Sequence, residues 1–459
     1  MTVVAEVRLP VDGQELLNEA IRRGADEAEM YLELARETEI EAYKGRVESA
    51  VVARSTGIAL RVIRGGRLGF AYTTDTGPGA VRDALAAALA TAEVTPADPH
   101  LALPDPAAPA VPEDEFYSAD VEDTPVEEKA HLALEAERLA LAGDPRISQV
   151  AETVYGDSCR VIAVRNSRGV NASFRVCNAN LVVEAVAREG ENLNTGTGFG
   201  TAGSVRALDV AAIAREAVEE ATRLLGARPV PSVRVPVVLA PRVMAQFINI
   251  VGRALSALPV QRGRSMFAGR QNQQVASPLV EIVDDGLLPG GARSGPVDSE
   301  GVPSRRTVAV AGGRLQSFLY DMYTGRHDGV PSTGNGYRSS FRTVPEAAPT
   351  NIYLAAGAES LARIIGGVAA GLYVVDVTGI TTGGANSISG DFSVGATGLW
   401  IEGGELTRPV REVTIAGNIL ELLRDIDGVA DDLRFTNIMG FSGAPTVRVS
   451  SLAVSGSGQ

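Results

Sequence analysis

Histidine, lysine and cysteine are all scarce in this chain, with three, two and two copies among 459 residues. The three histidines, His100, His131 and His327, include no pair one helical turn apart, so the sequence lacks the spacing that puts two imidazoles on one zinc ion. Among 42 basic residues only Lys44 and Lys129 are lysines, and 56 acidic residues bring the formal net charge to −14. A phosphate backbone or an anionic membrane selects a basic face, so neither nucleic acid nor membrane is expected as a partner. Cys159 and Cys177 fall in neighbouring strand-like segments and are predicted to be a reduced thiol pair, the default in a cytoplasmic protein. No run approaches the roughly 18 apolar residues of a spanning helix. The N-terminal Met-Thr-Val-Val-Ala-Glu-Val-Arg lacks a basic segment followed by a long apolar one. Both features predict a cytoplasmic protein. No Gly-x-Ser-x-Gly elbow occurs, and Ser393, one residue out of that register in Gly390-Asp-Phe-Ser-Val-Gly, reads as a strand residue bonding locally.

What is abundant is apolar and glycine content: 45% hydrophobic residues, 50 glycines and a mean hydropathy of +0.07. That is enough to fill more than one core, and the length predicts two or three domains. The expected fold class is α+β in three parts. Residues 1–94 read as a small helix-covered antiparallel sheet. They comprise a helix from Asp12 to Gly24, strands from Ala28, over Val47–Arg54, Ile58–Ile63 and Leu68–Tyr72, and a second helix over 79–91. Turns are expected at Ser55-Thr56-Gly57 and Gly65-Gly66. Six prolines between 95 and 114 predict an extended linker. Residues 115–228 read as a middle α+β domain: a helix from Thr124 to Gly143 with Thr124 as its cap, four short strands with a hairpin turn at Asn166–Gly169, and a last helix from Asp209. Residues 229–459 read as a glycine-rich, mainly antiparallel and barrel-like domain, with helices at 244–254, 359–368 and 419–425.

Gly198-Phe-Gly200-Thr-Ala-Gly203 has the spacing of a dinucleotide fingerprint. It follows hairpin-connected strands rather than opening a βαβ unit, so it is expected to be a flexible glycine loop without a nucleotide. His131 reads as a helix-surface or packing residue and His327, beside Asp328, as part of a solvated polar turn.

The densest motif runs from Gly390 to Phe435: Gly-Asp-Phe-Ser-Val-Gly-Ala-Thr-Gly-Leu-Trp-Ile-Glu-Gly-Gly, then Val-Thr-Ile-Ala-Gly-Asn, closing on Asp431-Asp-Leu-Arg-Phe435. It resembles the C-terminal domain of the TldD/PmbA family. The likeness continues through Asp298–Pro303, Leu319–Asp321, Ser332–Arg338 and Gly443–Thr446. It extends more loosely into the N-terminal part, through Glu41–Glu48 and Gly57–Tyr72.

Within that family, TldD-type members carry His-Glu-x-x-x-His just before a Gly-x-x-x-Phe-x-Gly block, and a further cysteine ligand near the C-terminus. Here the block is Gly263–Gly269. The motif window then holds Ile248 and Arg253 at the ligand positions and Asn249 at the general-base position, and Asn437–Ser442 contains no cysteine. Alkyl and guanidinium groups cannot ligate zinc, and an amide cannot take a proton from water at neutral pH. The resemblance therefore implies the TldE (PmbA) branch: a metal-free subunit with no catalytic or metal-binding residue of its own. It would pair with a TldD-type zinc subunit in a heterodimeric metallopeptidase for unfolded or modified peptides. Thr333, Gly334, Asn335 and Arg338, with Asp391, Phe392 and Ser393, are the expected peptide-binding residues, by strand addition. A second reading is a stand-alone homodimeric interaction protein in a peptide-modification pathway, without peptidase activity. A third, a metal-independent hydrolase, finds no support in the spacing of Ser, His and Asp.

Overall fold

A computed structural model describes residues 12–457. Asp12 accepts from the Gln14 amide and caps helix α1 (Gly13–Arg22), whose Leu16, Leu17 and Ala20 are buried. Strands β1 (Glu27–Tyr43), β2 (Arg46–Arg64) and β3 (Arg67–Thr73) follow, then α2 (Pro78–Val94), the proline-rich segment and α3 (Ala119–Asp123). Helix α4 (Val126–Gly143) leads into β4 (Ile147–Asn166), β5 (Asn171–Glu189), β6 (Asn192–Ala202) and α5 (Val210–Arg223).

These six strands form one sheet in the order β3-β2-β1-β4-β5-β6, so the sheet runs without a break from one side of the proline-rich segment to the other. The join is long: β1 pairs with β4 from Glu29↔Asn166 to Ala42↔Thr153. Leu16, Leu60 and Leu85 belong to the core under α1 and α2, and Tyr155, Leu181 and Ala217 to the core under α4 and α5.

The strands are longer than sequence patterning predicts. The turn expected at Ser55–Gly57 does not form: β2 passes straight through, with Gly57 opposite Glu33. A glycine stands there because the Phe341 ring packs against the strand, and a Cβ would come within 2.2 Å of it. The cap expected of Thr124 is absent too. Pro125 occupies the N-cap position of α4 without a side-chain bond.

Beyond residue 230 come β7 (Pro231–Leu239), α6 (Pro241–Leu255), α7 (Ala257–Gln261), β8 (Ile282–Asp285), β9 (Arg306–Ala311), β10 (Arg314–Leu315) and α8 (Met322–Asp328). They are followed by β11 (Gly336–Tyr337), β12 (Glu346–Ala347), β13 (Ile352–Leu354), α9 (Leu361–Gly366), β14 (Ala370–Thr378), β15 (Asp391–Glu402), β16 (Glu405–Asn418) and α10 (Ile419–Arg424). The last strands are β17 (Ile426–Val429), β18 (Arg434–Thr436), β19 (Ser442–Ala444) and β20 (Val447–Ser457).

Two sheets result. In the first, β16-β15-β14-β7-β20 closes on itself through β16–β20 pairing into a five-stranded barrel, with β17 added to β20. Closure removes the exposed edges that an open sheet of this size would leave. The Gly403-Gly404 turn joins β15 to β16 as predicted, both glycines with positive φ. The second sheet has the order β10-β9-β8-β13-β19-β18. Between the two lies α6. Twelve of its 15 residues are buried, which marks a helix enclosed by protein on nearly every side. The expected α+β architecture with a barrel-like C-terminal part is the observed one.

Candidate functional site

Helix α6 carries the motif window. Ile248 is fully buried and packs in the C-terminal core. Asn249, one residue on, is 5% exposed, and its side-chain carbonyl has no hydrogen-bond partner within the chain. Arg253 emerges at the last turn and donates from Nη2 to the Met439 carbonyl at 3.1 Å. The segment 437–442 therefore lies against α6, and two further contacts hold it there. The Ser442 hydroxyl donates to the Ala245 carbonyl at 2.9 Å. Gly440, at φ 114°, brings its backbone so near that a Cβ would sit 3.0 Å from Asn249 Nδ2.

The two regions that the resemblance links through a shared metal are thus neighbours in the fold. Their donors do not fit zinc: an alkyl group, an amide and a guanidinium already bonded to a carbonyl offer no anionic or imidazole ligand. Among the described residues no group of three or more His, Cys, Asp or Glu is arranged to hold a metal ion.

Beside Arg253 opens a cleft of about 420 Å³, walled by Arg253, Arg262, Arg264, Ser256, Glu346 and Ile388 among others. Three guanidiniums against one carboxylate make it locally basic in an acidic chain. Ile388 adds an exposed apolar surface at the rim. Arg262 and Arg264 flank Gly263, which takes φ 64° in the tight turn after α7. Sequence reasoning singled out Arg253 but missed the other two. The signal was present, since both lie in or beside the Gly263–Gly269 block.

The remaining expected site residues lie elsewhere. Thr333, Asn335 and Arg338 are each at most 6% exposed, and their side-chain polar atoms are engaged inside the chain except Arg338 Nε, which has no hydrogen-bond partner. The Thr333 hydroxyl accepts from the Tyr320 amide at 2.7 Å, and Asn335 Nδ2 donates to Asp284 at 2.7 Å and to the Ala348 carbonyl at 3.0 Å. Gly334, at φ 74°, lies against the Pro303 carbonyl, where a Cβ would come within 2.6 Å. Arg338 donates to the Thr343 carbonyl and to Glu29 on β1.

Glu29 also takes two bonds from Arg61 on β2, at 3.1 and 2.5 Å, and Arg61 reaches Glu300 at 3.0 Å. Burial opposes the charge on Arg61, but Glu29 and Glu300 outweigh it and hold the guanidinium protonated. Asp298 and Glu300 sit close together out of water, and burial raises both above the usual carboxylate range. The conspicuous Asp298–Pro303 and Ser332–Arg338 blocks therefore build an ionic clamp that fastens the N-terminal sheet to the C-terminal part.

Asp391 and Ser393 are exposed at the start of β15, while Phe392 is buried against Phe247 with ring centroids 5.0 Å apart. Strand addition there is blocked on both sides. β16 covers one edge, and residues 385–386 cover the other through the Ala385↔Phe392 bridge and the Asn386 amide bonding to the Asp391 carbonyl.

Three smaller expectations are corrected. Cys159 and Cys177 are directly opposite on β4 and β5, and they form a disulfide instead of a reduced pair. Of the 198–203 glycines only Gly203 falls in a bend; Gly198 and Gly200 lie in β6, where the missing side chains let α5 settle on the strand. His327 is in α8 rather than a turn, 2.8 Å from Asp328, with its ring 4.9 Å from that of His100. His131 is exposed on α4, as expected.

Family models for domain 1, the central domain and the C-terminal domain of PmbA/TldA metallopeptidases match residues 28–93, 119–225 and 232–456. A Methanothermobacter thermautotrophicus metalloprotease is 30% identical over 430 residues, covering 90% of this chain and 91% of its own length. The metalloprotease PmbA of Escherichia coli O157:H7 is 26% identical, covering 94% and 95%. Two solved structures superpose over nearly the whole length. A Thermotoga maritima protein gives a TM-score of 0.88 at 28% identity, covering 96% of this chain and 98% of that one. TldE from Thermococcus kodakarensis gives 0.88 at 24%, covering 96% and 99%. The chain belongs to the TldD/PmbA family of metallopeptidase-like proteins.

Proposed function

We propose that this chain is the non-catalytic, metal-free subunit of a TldE/PmbA type. In this reading it works in a heterodimer with a TldD-type subunit, which supplies the zinc and the peptidase chemistry, on unfolded or modified peptides in the cytoplasm. The observation that carries the reading is the side-chain set on α6: Ile248, Asn249 and Arg253 stand where a zinc-dependent relative needs two ligands and a base. In their place the chain offers charge and shape. The basic cleft beside Arg253 suits the terminal carboxylate or acidic side chains of an extended peptide, and Ile388 offers an apolar contact at its rim. The role of this subunit is to hold peptide and shape a shared chamber, with no proton transfer or metal step of its own.

The test is to purify the chain alone and together with a TldD-type subunit from the same genome. Bound zinc and cleavage of an unstructured peptide are then measured, with and without a chelator. Zinc and activity confined to the mixture, and abolished by the chelator, are the expected result. Chelator-resistant cleavage by the lone chain would overturn the reading.

A further inference from the structure

One wall of the basic cleft is the short strand β12 and the two residues after it, Ala348 and Pro349. β12 pairs only with β11, Gly336 standing directly opposite Ala347. The Ala348 amide donates to the Asn335 carbonyl at 3.0 Å, so hydrogen bonds cross between the strands at that position. Bonded and non-bonded positions alternate along an antiparallel pair, so at the next one, Gly336 and Ala347, the amides and carbonyls turn away from each other. Gly336 bears this out: its amide donates to Asp298 and its carbonyl accepts from the Ser299 amide, both at 2.8 Å and both outside the pair. The Ala347 amide and carbonyl turn outward on the other side, and among the described residues nothing in the chain bonds to either. Yet Ala347 is only 9% exposed and lines the cleft. Buried backbone groups are nearly always paired, and an open amide and carbonyl on one strand edge are what an incoming extended backbone completes.

The cleft's cations are open as well. Arginines elsewhere in the chain meet carboxylates, as Arg146 meets Asp144 and Arg242 meets Glu220. Arg262 and Arg264 are exposed, with no carboxylate within 4.0 Å among the described residues and no side-chain hydrogen bond, and Arg253 uses only Nη2.

We propose that the cleft receives the free C-terminal end of a peptide whose last residue is apolar. The end of the peptide lies along β12 and bonds to the Ala347 amide and carbonyl, and its terminal carboxylate rests among Arg253, Arg262 and Arg264. Ala254, Leu258, Pro259 and Ile388 offer the last side chain an apolar surface. The edge itself selects an end over a passing chain. Successive outward-facing positions on β12 fall two residues apart, at 345, 347 and 349, and both Pro345 and Pro349 lack an amide hydrogen. Only one residue of a peptide can therefore be held through a donated backbone bond, and the charge that follows it is the natural second anchor. The inference rests on the peptide-holding role proposed above and narrows it to one end of the substrate. Its test needs neither zinc nor a second subunit, so its failure is distinguishable from failure of the metal-free-subunit reading.

The test measures fluorescence anisotropy of the full-length chain with an unstructured peptide, Ser-Ala-Gly-Thr-Ala-Leu, labelled with rhodamine on its N-terminus. The peptide ends in either a free carboxylate or an amide. The free acid is expected to bind about tenfold tighter than the amide, as the loss of charge-assisted hydrogen bonds requires. In the double variant Arg262→Gln, Arg264→Gln the two peptides should bind alike; both side chains are exposed, so the native circular dichroism spectrum is expected. Ala347→Pro deletes a donor that plays no part in the β11 pairing. It should weaken both peptides by the same factor and keep their ratio. N-methylation of the peptide backbone before its last residue repeats that measurement without altering the protein. Equal binding of acid and amide by the parent chain overturns the proposal, as does a preference for the acid that survives in the double arginine variant. An amidated peptide with glutamate in place of leucine that binds as tightly as the free acid overturns it too, and assigns the cleft to acidic side chains.

Discussion

Asp284 is held away from water on β8, 1% exposed, with its oxygens taken up by the Asn335 amide, the Thr350 amide and the Thr350 hydroxyl at 2.7–2.8 Å. Burial raises its carboxyl to about 6, and these three donors only partly offset that rise. The sign follows from linkage. The folded state keeps the proton at a pH where the unfolded chain, near about 4, has already lost it. The stability this group contributes is therefore full below about pH 4 and lost as pH rises through about 6. Urea unfolding at pH 4, 5, 6 and 7 should show the parent losing about 3 kcal/mol relative to Asp284→Asn, which cannot titrate. A pH-independent difference between the two would show that Asp284 ionises normally in the fold. None of this was legible beforehand. Asp284 stands in an ordinary strand-like run, and its partners lie 51 and 66 residues further on.

At the scale of the element, β6 and α5 show how glycines set a helix on a sheet. An added Cβ at Gly198 would lie 1.9 Å from the Ile213 carbonyl, and one at Gly196 would lie 2.1 Å from the Ala221 amide. Both contacts are to helix backbone, which cannot swing aside as a side chain can. Gly198→Val is therefore expected to cost about 3 kcal/mol by overpacking, read as a lowered thermal midpoint, while Thr197→Val on the opposite face stays within about 0.5 kcal/mol. Equal midpoints for the two variants would mean that α5 rides higher than described. The glycine spacing here reads as a loop or a phosphate cradle, because residue order does not reveal which helix lies across the strand. The Gly403-Gly404 hairpin and the amphipathic stripe of α1 were legible because their causes are local: positive φ in a two-residue turn, and apolar spacing of three and four.

The molecule as a whole is joined across its proline-rich segment chiefly by the β1–β4 ladder and by the buried ions Glu29, Arg61, Glu300 and Arg338. Residues 105–110 of that segment are exposed. A protease site inserted between Ala107 and Ala108 should therefore cut the chain without parting it. Both fragments are expected in one peak on native gel filtration, and in two only in denaturant. Separation in buffer alone would contradict the continuous sheet. Removing one member of the clamp leaves a buried charge without its partner, a loss of about 3–5 kcal/mol in comparable buried pairs, so its integrity bears on the whole interface.

The sequence by itself determined the α+β class, most helices, the hairpins at Asn166–Gly169 and Gly403-Gly404, and the absence of zinc donors on α6. Each of these depends on residue type and on neighbours within a few positions. Only the tertiary structure decided that six strands on either side of the proline-rich segment form one sheet, and that the Asp298–Pro303 and Ser332–Arg338 blocks are a clamp rather than an exposed peptide site. It likewise brought Cys159 opposite Cys177 and Arg253 against Met439. The physical reason is distance along the chain: Arg61 meets Glu300 across 239 residues and Arg338 meets Glu29 across 309. A charged group reads as solvated until the fold supplies the opposite charge that allows its burial.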